Sequence, residues 1–173
     1  MPKSESAALP IANVMLRILI VVNWMVFAAT VVLLVAMPTR QWIMSALNLS
    51  PGAEAERVIF GLRAIAVIGL MLVPIYHFIL TRLLAIVGTV GAGDPFVAAN
   101  ASRLNRIGWA LLVLQLFGVV IALIAKAIST PAHPVNIGAG PSVASLLAVL
   151  LTFILARVFA EGARMRDDLE GTV

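Results

Sequence analysis

Within the long apolar runs of this sequence, four polar side chains are the candidates for chemistry: Asn23, His77, Gln115 and Thr152. In hydrocarbon such groups bind a solute, relay a proton or tie helices together, because each must find a partner or stay unsatisfied. His77 is the most versatile, since imidazole titrates near neutrality and ligates metals. The other histidine, His133, belongs to the opposite face of the membrane, so a two-histidine metal or haem site within one chain is not expected. There is no cysteine, which removes thiolate ligands, thiol nucleophiles and disulfides together. No Ser-His-acid set, phosphate loop or nucleotide fingerprint occurs. Every Asp and Glu lies outside the central apolar runs, leaving no carboxylate there to relay protons or hold a cation. The expectation is a protein that is no enzyme and needs no metal and no cofactor. Asn23, His77, Gln115 and Thr152 then serve as one hydrogen-bonded cluster between helices, each bond contributing about 0.6 kcal/mol on average. The sharper alternative is a small polar ligand site or a gate. Pro74 gives that alternative a moving part, since its ring frees the Leu70 carbonyl and kinks a helix three residues before His77.

The elements that must position these groups follow from composition. The chain has 173 residues, 62% hydrophobic and 12% charged, where a soluble domain is about half apolar and about a quarter charged. A bilayer is the solvent this implies, and one membrane domain the size. A crossing takes about 20 apolar residues, and runs at 18–37, 64–81, 107–125 and 142–160 meet that length. With polar flanks included, helices are expected over about 14–37, 58–86, 95–128 and 141–169. A polar tail over 1–13, an inner loop over 87–94 and outer loops over 38–57 and 129–140 complete the chain. The first run is too long for a cleaved signal core and reads as a retained span. Pro141 suits a first helical turn. The fold class expected is an all-α integral membrane protein, four transmembrane helices in an antiparallel bundle.

Cations set the direction. With both termini cytoplasmic, Lys3, Arg17, Arg82, Arg103, Arg106, Arg157, Arg164 and Arg166 lie inside, against Arg40, Arg57, Arg63 and Lys126 outside, the bias cytoplasmic loops show. Trp109 and Tyr76 then fall near the inner interface and Trp42 near the outer one. A net charge of +4 is too small to argue for direct nucleic-acid contact when the cations flank membrane spans; anionic lipid headgroups are their simpler partners. Trp42, Ile43, Ala46 and Leu47 form a short amphipathic piece expected to lie along the outer interface. Asn48-Leu49-Ser50 fits the glycosylation triplet but, with Pro51 following, reads as a turn.

The inner face is more specific. In "GDPFVAANASRLNRIGWALL", residues 93–112, Asp94 is a good N-cap and Pro95 suits the first helical position. A helix is expected to start at Pro95 and run unbroken into the third span, with about 18 Å between Pro95 and Arg106. Phe96, Val97, Asn100, Leu104 and Ile107 share one of its faces, with Arg103 and Arg106 to one side. Asn100 is costly to bury unpaired, so it should bond a neighbouring helix. In "ARVFAEGARMRDDLEGTV", residues 156–173, Arg157, Glu161, Arg164 and Asp168 place alternating charges on one stripe. Val158, Gly162, Met165 and Leu169 form a second, mostly apolar stripe. The third and fourth helices are therefore expected to project into the cytoplasm as rods. Such rods pack on each other, on a second copy in a homo-oligomer, or on a soluble partner. The docking candidates are Phe96, Asn100, Arg103, Leu104, Arg106, Glu161, Arg164 and Met165.

These two stretches resemble the signatures of the bacterial and archaeal membrane family catalogued as domain of unknown function 2975. One signature is a small residue before Pro-Phe, then Asn, then Arg-Leu-x-x-Ile; the other is Phe-x-Glu-Gly, a charged run and a final Thr-Val. The matching positions are Pro95, Phe96, Asn100, Arg103, Leu104, Glu161 and Gly162. The resemblance implies a four-span protein of the cytoplasmic membrane, of no established activity, often encoded beside a small helix-turn-helix transcription regulator. The function expected is thus non-enzymatic binding or regulation of such a partner. The alternative is a small transporter or channel component using the polar cluster.

Overall fold

A computed structural model describes residues 8–36, 44–45, 52–130, 134–135 and 137–170. Lys3, Arg40, the piece formed by Trp42, Ile43, Ala46 and Leu47, the Asn48 triplet, His133 and the side chain of Leu169 lie outside the described residues. Four long helices make up the described chain: α1 (Ala8–Ala36), α2 (Ala53–Gly91), α3 (Ala98–Ile128) and α4 (Val143–Glu170). No strand occurs among the described residues. Each helix is long and apolar enough to cross a membrane. Their sequences are runs of Leu, Ile, Val and Ala, whose apolar side chains suit lipid, and a helix satisfies its own backbone polar groups where no water can. The helices hold 29, 39, 31 and 28 residues. At 1.5 Å per residue that is about 42–58 Å, against a hydrocarbon thickness of about 30 Å. Each helix is thus longer than such a layer is thick.

Helix boundaries depart from the sequence expectation at informative places. α3 begins at Ala98 rather than Pro95, and its N-cap Val97 is extended with no side-chain cap. The Asp94 carboxylate instead pairs with Arg166 of α4. The carbonyl of Pro95 is also taken, by the side chain of Asn100. α1 reaches back to Ala8 into the polar tail, and α2 outlasts 58–86 at both ends, running through Pro74 as one helix.

Each helix packs on its neighbour in sequence: α1 on α2, α2 on α3, α3 on α4. No other pair of helices comes into contact among the described residues. Among the described residues the expected antiparallel bundle takes the form of a row, each helix on its neighbour. Lipid tails are as apolar as leucine, so no hydrophobic drive forces the row to close. Close approach instead occurs at notches of small residues. Gly61 of α2 receives Ile128 and Ile124, Gly108 of α3 receives Phe153, and Gly162 of α4 receives Phe96. Ala55, Val58 and Ile128 form a buried apolar cluster with Met44, Leu62, Ile65 and Val135, at the end of the row opposite the α2–α3 turn. On α4 the buried seam is Val149, Ala156 and Ala163, spaced by seven, as a heptad seam requires. Val158 and Met165, expected on the packed stripe, are more than half exposed instead. Ala156 and Ala163 let the backbones approach, whereas the longer side chains would hold them apart.

Candidate functional site

The densest set of polar contacts gathers at the α2–α3 turn, residues 92–97. Backbone bonds close the end of α2: the N–H groups of Ala92, Gly93 and Asp94 donate to the carbonyls of Gly88, Val90 and Thr89 at 3.0–3.1 Å. Gly93 sits at φ +85, a left-handed conformation that glycine adopts without a Cβ penalty. Thr89 donates its hydroxyl proton to the Ile86 carbonyl at 2.8 Å and accepts a bond from Asn100 Nδ2 at 2.7 Å. The same Asn100 nitrogen donates to the Pro95 carbonyl at 2.9 Å, and Asn100 Oδ1 accepts from Arg103 Nη1 at 2.7 Å. Asn100 is fully buried. Its amide thus uses both donors and its acceptor, the condition for burying such a group without loss. The expectation that Asn100 bonds a neighbouring helix holds, through Thr89 of α2.

Two further contacts carry the turn across to α4. Asp94 pairs with Arg166, the partners being 37% and 44% exposed. The Phe96 ring meets Phe159 at 5.4 Å between centroids and fills the notch at Gly162. One six-residue turn is therefore fastened to three helices, through Thr89, Asn100 and the Phe159–Gly162–Arg166 group. Each neutral hydrogen bond is worth about 0.5–1.5 kcal/mol and the half-exposed ion pair less than its geometry suggests, about 0–1 kcal/mol. The clasp is strong through its number of fastenings.

The docking candidates divide accordingly. Asn100 and Leu104 are buried within the chain, Asn100 through its bond to Thr89 of α2. Arg103 is half-buried in the clasp. Arg106 is exposed, as is Met165. Glu161 and Arg164 form an exposed pair at 3.5 Å one helical turn apart. Phe96 is partly exposed at its rim.

The intramembrane polar residues do not gather at one point. Asn23 Nδ2 donates to the Val73 carbonyl at 3.2 Å. Trp24 Nε1 donates to His77 Nδ1 at 3.2 Å, with the two rings edge-to-face at 5.5 Å. Thr152 spends its hydroxyl on the Ala148 carbonyl of its own helix. Gln115 stands on α3, half-buried. Asn23 and His77 thus share the α1–α2 seam, while Gln115 and Thr152 lie on other helices. No group of three or more His, Asp or Glu placed to hold a metal occurs among the described residues. Sequence reasoning missed Thr89, Trp24 and the Asp94–Arg166 pair. Thr89 carries the one polar side chain of "GTVGAG", and Trp24 is the one N–H side chain beside Asn23; those were the available signals.

Comparison with known proteins places the turn inside a recognised family pattern. A family model described as "Protein of unknown function (DUF2975)" matches residues 44–173, taking in α2, the turn, α3 and α4. No curated protein matches the chain, and no solved structure does.

Proposed function

The chain belongs to the DUF2975 family, and on that premise we propose that it is a non-enzymatic multi-pass protein of the cytoplasmic membrane that docks a soluble cytoplasmic partner on its clasped helix ends. The observation that supports this most is the clasp itself. Helix ends beyond a bilayer fray in water unless something fixes them. Here Asn100, Thr89, Arg103 and the Asp94–Arg166 pair fix three of them to one turn. A merely spanning protein needs no such head. Arg106 and Arg164 stand on the solvent side of it, exposed, and Met165 adds an exposed apolar contact. The cationic bias of this end supports a cytoplasmic orientation. It also suits a partner with an acidic face, for which charge complementarity steers encounter more than it adds affinity. The family resemblance implies a small helix-turn-helix regulator in that role.

The test is co-purification, from the membrane, of a small helix-turn-helix regulator co-expressed with this chain. Arg106→Glu with Arg164→Glu should abolish recovery of the regulator while the chain's own yield and melting temperature stay unchanged. Labelling of a cysteine introduced at Ser102, in intact cells and in lysed ones, confirms that the topology survives the charge reversal. Undiminished recovery, or Ser102→Cys reacting with an impermeant reagent in intact cells, overturns the reading. A transporter or channel component has one observation in its favour, the polar contacts of Asn23, Trp24 and His77 on the α1–α2 seam. Solute flux into proteoliposomes that His77→Phe abolishes would favour it.

A further inference from the structure

Two clefts open along the α1–α2 seam. One, of about 530 Å³, lies at the turn end between Leu9, Pro10, Asn13 and Val14 of α1 and Val87, Gly88 and Gly91 of α2. The other, of about 470 Å³, lies deeper, with Leu19, Val22 and Val26 facing Gly69, Leu72 and Val73. Both volumes fall in the range of small-molecule sites, roughly 300–1,000 Å³. The glycines in their walls need an explanation. Gly61, Gly108 and Gly162 are accounted for by packing, because a Cβ at each would lie within 2.4–2.8 Å of a neighbouring side chain. At Gly69, Gly88 and Gly91 a Cβ would meet nothing within 4 Å among the described residues, and none of the three has a positive φ. Glycine within a helix costs about 0.5–1 kcal/mol relative to alanine. All three of these unexplained glycines line the two clefts, so they leave room for something other than the chain's own side chains.

The walls say what that something is. The deeper cleft is lined mainly by aliphatic side chains, with Asn23 and Tyr76 among them. The shallower one carries Asn13, whose Oδ1 accepts a bond from Arg17 Nε at 2.8 Å. That bond ties an exposed guanidinium to a side chain of the cleft wall, and its terminal nitrogens have no hydrogen-bond partner among the described residues. An apolar trough leading from a fixed cation is complementary to an amphiphile with an anionic head. We infer that the α1–α2 seam binds one anionic phospholipid, its phosphate on Arg17 and Asn13 and an acyl chain laid against Gly69, Leu72 and Val73. The lipid supplies the contact that α1 lacks, since none of the apolar core of α1 is buried within the chain. This inference is independent of the partner docked at the clasp.

The experiment uses the full chain in detergent, titrated with phosphatidylglycerol or phosphatidylcholine of matched acyl chains and read by native mass spectrometry. One phosphatidylglycerol per chain should be retained. Gly69→Leu with Gly88→Leu should remove it, and Arg17→Ala should lower the preference for phosphatidylglycerol about fivefold, the worth of one cation at a lipid surface. A second readout leaves the cleft untouched. With Trp42→Phe and Trp109→Phe in place, Trp24 beside Asn23 reports alone, and brominated phosphatidylglycerol should quench it saturably, with competition by unbrominated phosphatidylglycerol and not by phosphatidylcholine. Equal retention by the filled-cleft variant, equal retention of both lipids, unsaturable quenching, or a dimer that buries the seam and excludes lipid would each overturn the inference.

Discussion

Gly162 and Phe96 occupy what is nearly one volume, and the consequence belongs to single residues. A Cβ built on Gly162 lies 2.6 Å from Phe96 Cδ1, inside any tolerable contact. Gly162→Ala should therefore displace the ring from Phe159 and destabilise the chain by about 1–3 kcal/mol, as overpacking does. In a Phe96→Ala background most of that cost should vanish. Thermal unfolding of the four variants in one detergent measures the coupling, and additive losses would show that the notch does not matter. Both residues stood out in the sequence as motif positions, yet nothing in the sequence said that they touch. They are 66 positions apart, and periodicity reports faces of a helix, not which faces meet. Asn100 was more legible, because a lone amide on an apolar face must find a partner wherever that partner lies.

At the scale of elements, the helices differ in how firmly they are held. α3 is gripped on both sides, by Ile107, Gly108 and Ile121 among its buried residues. α1 has none buried in its apolar window and meets α2 through the side-chain bonds of Asn23 and Trp24. Such bonds in a membrane are worth about 0.6 kcal/mol each. Asn23→Leu with Trp24→Phe should therefore speed hydrogen exchange in α1 severalfold and leave α3 and α4 unchanged. Exchange that rises evenly through the chain would contradict this ranking. The existence of all four helices was legible from hydropathy, since an apolar run of this length has one solution in lipid. Their ends were not. Asp94 and Pro95 carry every local mark of a helix start, and the local marks lost to Arg166, far along the chain. The α4 seam was equally hidden: where apolar residues lie on more than one side of a helix, composition cannot separate exposed Val158 from buried Ala156.

Among the described residues the helices form a row in which α1 and α4 do not touch, and at the scale of the whole molecule that makes a prediction of its own. The chain has no cysteine, so introduced pairs report without background. Leu33→Cys on α1 with Leu146→Cys on α4, both exposed, should give no cross-link within one chain under a short bifunctional reagent. Gly108→Cys with Phe153→Cys, which sit in contact, should cross-link readily. A strong α1–α4 product within the monomer would mean that the ring closes after all. Nearest-neighbour contact also bears on how the protein is made. Each segment meets, on leaving the ribosome, the surface it will rest on for good, since its predecessor is already in place. Assembly can then keep pace with translation, one hairpin at a time, with no early segment waiting for a late one.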